Sequence, residues 1–308
     1  MMEDFSLIDF VDTLDASRRK VRGISFGCSC EGCDKETINK CHLIQQNPFV
    51  YSIADENRKV FRICDNEIHP RESGFDFFKP SITTVKNALC LPLFCSKHDN
   101  EIFKPIEILG FDINDKMNQL LFSYRALCAQ RYLEQKRLAF YEENNFEGVL
   151  YESQRQSSKY YIERFNVSIM QIWNDIQTSA FQDYIFKVVV MPRIPICLSD
   201  SIVDEIDLWS VIDENKPCNI VFVHMLPFEE NSKLIIGYNK KYVSKTQLKY
   251  YESWKCTYDS IDIDFIIKLL LRCNNWCCHP NFFADKQYYV KNWDSEKVKL
   301  FIKESLGL

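Results

Sequence analysis

Apolar residues recur every three or four positions through the middle of the chain, which is the spacing of one face of an α-helix. The longest such run extends from Asn114 to Glu143 and opens with Asn114 or Asp115, either of which is a common helix N-cap. A second run extends from Ser158 to Thr178, and a break at residues 144–151 separates the two. We therefore predict a helical hairpin, which we assign to residues 111–180.

The last third of the chain has short apolar and β-branched runs bounded by proline and other turn-forming residues. Ile185–Met191, Asn219–Met225 and Lys233–Tyr238 have the length and composition of strands, and they are predicted to form a mostly antiparallel sheet. Asp262–Cys273 and Asp294–Ser305 are predicted to be closing helices, each capped by aspartate. Residues 181–308 are thus expected to form an α/β region.

The first 110 residues contain short segments and many turns. Val60–Ile63 is strand-like, Phe75–Phe78 is rich in aromatic residues, and Phe5 to Leu14 has helical spacing. A region of this kind buries little apolar surface and needs an additional stabilising cross-link. A bound metal ion is the simplest candidate. The chain is therefore predicted to be α+β, with a metal-bound N-terminal module in residues 1–110, a helical middle and a C-terminal α/β region.

The amino-acid composition argues against some classes of enzyme. The 308 residues include 14 cysteines but only 8 glycines, and neither a G-x-G-x-x-G motif nor a P-loop occurs, which argues against enzymes that cradle phosphates in glycine-rich loops. The N-terminus lacks the basic and apolar blocks of a signal peptide, and no apolar run reaches the length of a membrane span. We expect a cytoplasmic protein without a membrane partner, in which clustered cysteines bind metal rather than form disulfides.

Two residue pairs have the spacing of zinc ligands. Cys30-x-x-Cys33 lies in a tight turn that can present two thiolates to one ion, and Cys95-x-x-His98 supplies a second pair. Cys28 competes with Cys30, because Cys28 and Cys33 could also close the site. We expect one structural zinc ion held by Cys33, Cys95, His98 and either Cys30 or Cys28.

A histidine and an aspartate accompany these pairs. His42 begins a predicted short strand after the first pair, and Asp99 directly follows the second. Zinc would hold Asp99 rigidly beside the ion without using it as a ligand, and His42 could return to face it. A histidine and a carboxylate arranged in this way could bind a divalent cation and activate water for attack on a phosphodiester.

The order of these motifs resembles the zinc-stabilised branch of the HNH nucleases, which have a ββα-metal, treble-clef fold. The resemblance covers about residues 27–107. It implies that His42 is the general base, that Asp99 ligates a catalytic Mg²⁺ or Mn²⁺ ion, and that the chain is a nuclease acting on DNA or RNA, with anti-phage defence in a bacterium as its setting. Four stretches also resemble a widespread set of uncharacterised bacterial proteins: His42–Gln45 with Phe49–Ala54, Phe94–Asp99, Phe103–Glu107 and Tyr124–Leu127.

Net charge restricts how nucleic acid could bind. The formal charge is −5, so any such contact must be local. The densest basic run, which directly precedes the cysteine pairs, is a candidate phosphate contact or an ordinary solvated face: Arg18, Arg19, Lys20 and Arg22. Cations on and near the two long helices form a second candidate track, with ordinary helix surface as the simpler interpretation: Arg125, Arg131, Lys136, Arg137, Arg155, Lys159 and Arg164.

Other interpretations remain open. The zinc module could be non-catalytic and organise a surface or sensor, while the C-terminal region binds a protein or nucleic-acid partner; His42 as a zinc ligand would favour this hypothesis. A thiol sensor could instead use Cys41 or Cys277–Cys278. Cys273, Cys277, Cys278 and His279 form a candidate second metal site, although the aromatic residues around them favour packing.

Overall fold

The computed structural model shows an α+β protein. It describes residues 20–21, 24–64, 69–71, 74–76, 79–144, 149–203, 217–243, 265–266, 269–270 and 272–282. Within these ranges, helices occupy the middle of the chain, a mostly antiparallel sheet spans much of the rest, and a Cys/His cluster lies near the N-terminus. The predicted fold class is confirmed. The segment with helical spacing from Phe5 to Leu14 and the helix predicted over Asp294–Ser305 lie outside the described residues.

Four helices have both ends within the described ranges: α1 Ser96–Ile102, α2 Lys104–Glu107, α3 Lys116–Asn144 and α4 Val149–Thr178. Helices α3 and α4 pack against each other, as the hairpin prediction requires. Helix α4 begins at Val149 rather than at the predicted Ser158. The earlier start was missed because Glu152–Ser157 is polar and carries no apolar period. An ion pair between Arg155 and Glu152, 2.7 Å long, lies within this stretch.

The strands are β1 Cys41–His42, β2 Lys59–Cys64, β3 His69–Arg71, β4 Gly74–Asp76, β5 Lys79–Thr84, β6 Cys90–Leu91, β7 Tyr184–Pro192, β8 Ile196–Val203, β9 Ile220–Pro227, β10 Asn231–Asn239 and β11 Trp276–Cys278. Seven of them form one sheet in the order β5-β2-β11-β8-β9-β10-β7, and every neighbouring pair is antiparallel. β1 pairs with β6, and β3 with β4, in two smaller sheets. The strands predicted around residues 60, 185, 219 and 233 are confirmed as β2, β7, β9 and β10.

Strand β8 was not predicted. The irregular spacing of carboxylates from Asp200 to Glu214 predicts a solvated loop or helix face, but Asp200 lies in β8 and is fully buried. Its carboxylate accepts hydrogen bonds from the backbone N–H groups of Asn274, at 2.5 Å, and Asn275, at 3.1 Å. For Asp200 the prediction was wrong, because those two donors lie 74 and 75 residues away in the sequence.

Apolar side chains cover both faces of the central strands. Along β9, Ile220 and Phe222 belong to the core that α3 and α4 share, whereas Val221 and Val223 belong to a second core on the opposite face. This alternation follows from the two-residue period of a strand. The second core includes Ile266 and Leu269, which lie in the helix predicted over Asp262–Cys273.

The core on the α3 side extends into the N-terminal region. It includes Cys41 and Leu43 from around β1, Phe94 ahead of α1, and Phe103 between α1 and α2, all packed with the apolar face of α3. The sheet likewise joins β2 and β5 to strands from the last third of the chain. The division at residues 110 and 180 stays a prediction, and both the sheet and this core cross those positions.

Candidate metal centre and the polar cluster around Arg125

The loop from Gly27 to Cys33 brings cysteines to one side of the N-terminal region. Gly27 and Gly32 have φ values of 76° and 71°, in the left-handed region that favours glycine. Within this loop the Cys33 N–H donates to the Cys30 carbonyl at 3.2 Å, which closes the turn. The Ser29 N–H donates to the Leu93 carbonyl at 2.8 Å and fastens the loop to the segment ahead of α1.

Helix α1 presents the second pair of candidate ligands. Cys95 is the N-cap residue, with extended backbone angles of φ −73° and ψ 162°, and His98 follows within the first turn on the same side of the helix. The backbone N–H of Cys95 donates to Cys28 Sγ at 3.3 Å. This bond joins the loop directly to the start of the helix.

Four side chains converge between the loop and the helix. The ligand atoms of Cys28, Cys33, Cys95 and His98 all lie within 4.8 Å of one another. His98 Nδ1 lies 3.3 Å from Cys28 Sγ and 3.5 Å from Cys95 Sγ, and the sulfurs of Cys33 and Cys95 are 3.9 Å apart. Three thiols and one imidazole at these separations can bind a single metal ion.

The structure thus brings together Cys28 rather than Cys30 with the other three predicted ligands. Cys30 is 7% exposed and is not a member of the cluster. Burial raises the pKa of its thiol, to which the nearby Cys33 and Cys95 add, and Tyr124 and Cys128 of α3 are also among its electrostatic neighbours. Burial also raises the pKa of the Cys28 thiol, to about 12, so Cys28 becomes a thiolate readily only beside a cation.

A buried arginine lies beside the metal cluster. Arg125 of α3 is fully buried, and its Nη1 donates to the His42 carbonyl oxygen at 2.6 Å. Its Nη2 donates to Glu107 Oε1 at 2.7 Å and to Asp99 Oδ1 at 3.5 Å. The guanidinium also lies over the Phe103 ring, 3.8 Å from its centre. Arg125 therefore ties β1, α1 and α2 to α3.

The Arg125 contacts unite the four stretches that resemble bacterial proteins. Gln45 adds a hydrogen bond from its side-chain amide to the Glu107 carbonyl oxygen. The rings of Phe94, Phe103 and Tyr124 pack on one another, with centroids 4.9 to 6.2 Å apart. The predicted pair His42 and Asp99 belongs to this group, and both are held by the same arginine.

Sequence reasoning missed two members of the polar cluster. Arg125 was assigned to the exposed face of the predicted helix, which is wrong because its guanidinium is buried against Glu107 and Asp99. Glu107 was not singled out, although it ends one of the four stretches. The available signal was the position of Arg125 directly after the apolar Tyr124 and between Leu121 and Cys128, all three of them buried.

Burial dominates the electrostatics of the cluster. It raises the pKa of Asp99, an effect that Arg125 partly offsets. It lowers the pKa of His42, in the same direction as Arg125, while the Glu107 carboxylate acts in the opposite direction. The His42 imidazole is therefore neutral at pH 7 and carries a lone pair on one ring nitrogen.

Where the structure describes the basic residues predicted to contact phosphate, their side chains have partners within the protein. Arg18, Arg19 and Arg22 lie outside the described residues, and Lys20 forms an ion pair with Glu143 at 2.5 Å. The cations on the long helices have local partners: Arg131 with Asn166, Arg137 with Glu134, Arg155 with Glu152, Lys159 with Glu142, and Arg164 with the Pro217 carbonyl. Most of these contacts are typical of ordinary helix surface, but Arg164 is buried and its partner lies 53 residues away in the sequence.

The C-terminal cysteines are packing residues in this structure. Cys277 and Cys278 lie on β11, and Cys273 precedes it; all three are buried. Among the residues that the structure describes, Cys28, Cys33, Cys95 and His98 form the one group of three or more candidate ligands drawn together within 4.8 Å. The candidate site at Cys273–His279 therefore has no such geometry.

Comparison with known proteins gives no match: no family model, no curated protein and no solved structure matches the chain. The resemblance to HNH nucleases rests on the sequence motifs and stays a prediction. Within the described ranges, no helix combines the length and the apolar character needed to cross a membrane.

Proposed function

We propose that Cys28, Cys33, Cys95 and His98 bind a structural zinc ion. Zn–S bonds of about 2.3 Å and Zn–N bonds of about 2.05 Å in a tetrahedron place two sulfurs about 3.8 Å apart and a sulfur and a nitrogen about 3.6 Å apart. The observed separations are 3.9 Å for the two sulfurs and 3.3 and 3.5 Å for sulfur to nitrogen. Four protein ligands fill the tetrahedron, so this ion serves folding rather than catalysis.

We further propose that the protein is a metal-dependent nuclease in which His42 is the general base. The observation that carries this proposal is that four other side chains form the Cys/His cluster, which leaves the His42 imidazole available for other chemistry beside the Glu107 carboxylate. In this proposal His42 accepts a proton from the attacking water, since a neutral imidazole can do so at pH 7. Arg125 holds the His42 backbone and the carboxylates of Asp99 and Glu107 in one group.

A Mg²⁺ or Mn²⁺ ion in this proposal is held by Asp99 and the substrate phosphate. Mg²⁺ commonly takes one or two carboxylates and keeps several waters, so a site with few protein ligands is sufficient. Such an ion would neutralise charge on the phosphate and lower the pKa of a bound water. The role of the protein is to place Asp99 at the start of α1, next to the zinc ligand His98.

A second candidate function is a non-catalytic module that binds a protein or nucleic-acid partner. The observation that favours it is the 2.7 Å contact between Arg125 and Glu107, together with the longer contact to Asp99. Buried charges need partners, so the two carboxylates could serve only to neutralise the arginine. In that case zinc and Arg125 shape the surface of the N-terminal region, and His42 has no reacting role.

The two candidates are separated by a cleavage assay on purified protein with Mg²⁺ or Mn²⁺, using DNA and RNA substrates. His42→Ala should abolish cleavage while one zinc ion per chain remains bound. His279→Ala is the matched control, because His279 is also a partly buried histidine but lies outside the Arg125 cluster. Full cleavage by His42→Ala, or no cleavage by the wild-type protein, would refute the nuclease proposal and leave the binding module.

A further inference from the structure

The hydrogen bonds around His42 show which of its ring nitrogens carries the proton. His42 lies in β1, and Gln46 begins the helical turn Gln46–Val50 that follows. Gln46 Nε2 lies 2.6 Å from His42 Nε2 and 3.1 Å from the Val85 carbonyl oxygen. One side-chain amide thus contacts an acceptor and an imidazole nitrogen at the same time.

The Val85 carbonyl determines the orientation of this amide. A carbonyl oxygen can only accept, so the Gln46 atom that faces it must be the amide nitrogen and not the amide oxygen. That nitrogen has two hydrogens, and its second contact is His42 Nε2. Two donors cannot bond to each other, so His42 Nε2 accepts and carries no proton.

The other ring nitrogen must then carry the proton. A neutral imidazole has one N–H, which leaves Nδ1 as the donor. The Lys86 backbone raises the pKa of His42, as a carbonyl acceptor close to a ring N–H does. Val85 and Lys86 belong to the short helical turn Val85–Asn87. One element therefore lies against both the Gln46 amide and the His42 ring.

We infer that Gln46 is the positioning residue of His42: it selects the Nδ1–H tautomer, makes Nε2 the basic atom, and covers that atom until a ligand replaces the amide N–H. This inference rests on the proposed nuclease function for its chemical use. The proton of the attacking water goes to Nε2, and the water takes the place of the Gln46 N–H. The Gln46 amide then still donates to the Val85 carbonyl oxygen, which keeps the amide close to His42.

The charged groups that face the His42 ring are Lys40, Glu107 and Arg125. Lys40 and Arg125 disfavour the imidazolium form, and Glu107 favours it. Gln46 adds to the two cations, because an N–H that donates to the Nε2 lone pair stabilises the neutral ring. Removal of the amide should therefore raise the pKa of His42.

The test is NMR spectroscopy of the full-length zinc-bound protein with isotope-labelled histidine, which gives five histidine signals. The His42 signal is assigned from its loss in His42→Ala. In the wild-type protein the nitrogen shifts should show protonated Nδ1 and unprotonated Nε2. Gln46→Met should mix the tautomers and raise the pKa of His42 by about one unit, the value of one hydrogen bond. Gln46→Glu should raise it further, because a carboxylate favours the imidazolium form.

Gln171→Met is the control, since Gln171 makes a comparable side-chain bond to Asp175 on α4. It should leave the His42 signal unchanged, and zinc content should be equal in all variants. A protonated Nε2 in the wild-type protein, or an unchanged tautomer and pKa in Gln46→Met, would overturn the inference. In the cleavage assay, Gln46→Glu should move the acidic limb of the pH profile to higher pH. If no variant cleaves but the tautomer result holds, the nuclease proposal fails and the assignment of Gln46 stands.

Discussion

His224 shows at the scale of one residue how the sheet accommodates a polar side chain. It lies in β9 and is fully buried, with Ser199 Oγ 3.0 Å from Nδ1 and Ser123 Oγ 3.3 Å from Nε2. Hydroxyls can donate or accept, so both ring nitrogens have partners when the imidazole is neutral. The apolar strand around His224 predicts a core histidine of this kind, and the structure confirms it.

Burial lowers the pKa of His224 to about 3, which makes stability depend on pH. In the unfolded chain an ordinary histidine with a pKa of about 6.5 binds a proton below that pH, whereas the folded protein does not. The unfolded state therefore binds more protons between about pH 6.5 and 3, and folding stability decreases as the pH falls through this window. Between pH 7 and pH 5 the expected loss is about 2 kcal/mol from His224 alone.

Urea unfolding at pH 7 and pH 5 measures this loss. His224→Gln should be less stable than the wild-type protein at pH 7, but its stability should change by about 2 kcal/mol less between the two pH values. His279→Gln, outside the sheet core, serves as the reference. An equal pH dependence in wild-type and His224→Gln would mean that His224 is accessible to protons in the folded state.

Arg125 and Asp200 show why part of the candidate site and fold could not be predicted from the sequence. Charged residues are rarely buried, so a pattern-based prediction places both on the surface. Their burial depends on partners from other elements: Glu107 and Asp99 for Arg125, and the N–H groups of Asn274 and Asn275 for Asp200. Cysteine and histidine spacing is local, and for that reason Cys33, Cys95 and His98 could be found from the sequence.

At the scale of elements, the conformation of the loop from Gly27 to Cys33 determines which cysteine joins the metal cluster. The sequence leaves Cys28 and Cys30 as alternatives, because either spacing closes a tetrahedron. The Cys95 N–H bonded to Cys28 Sγ places the Cys28 thiol at the start of α1. Cys30 is buried outside the cluster, and Tyr124 and Cys128 of α3 are among its neighbours.

Single substitutions distinguish the two cysteines. Cys28→Ser removes a proposed zinc ligand, so bound zinc and folding stability should fall together. Cys30→Ser changes a core thiol and should leave one zinc ion per chain, with at most a modest loss of stability. Native mass spectrometry and thermal unfolding of both variants provide the measurement. Zinc loss in Cys30→Ser with zinc retained in Cys28→Ser would reverse the ligand assignment.

The long elements were the most predictable part of the fold. Helix α3 contains neither proline nor glycine and ends within a residue of the predicted position, and β7, β9 and β10 are bounded by recognisable turn residues. The polar stretch Glu152–Ser157 of α4 has no apolar spacing to indicate a helix, and β8 contains two serines and an aspartate. Their places depend on the hairpin partner and on the neighbouring strands β11 and β9.

At the scale of the whole molecule, the strand order of the sheet is the feature that the sequence predicts least well. Strand β11 lies between β2 and β8, so it joins a segment near residue 60 to one near residue 196. No local pattern specifies such a pairing, because it depends on the two cores that the sheet separates. The three-part division of the chain describes its order of elements, whereas the sheet connects the first part to the third.

The shared core makes a prediction about unfolding. The proposed zinc ligands lie on the loop and α1, which Arg125 and the rings of Phe94 and Phe103 join to α3, and α3 packs on β8 and β9. Because apolar contacts continue from the metal cluster to the sheet, opening of the cluster should expose core throughout the molecule. Zinc release and loss of helical circular dichroism should therefore occur at the same urea concentration. A zinc-sensitive dye and circular dichroism recorded on the same samples measure the two transitions. If zinc is released well before the helical signal is lost, the N-terminal region is an independent unit, and the metal cannot stabilise the rest of the chain through Arg125 and the core.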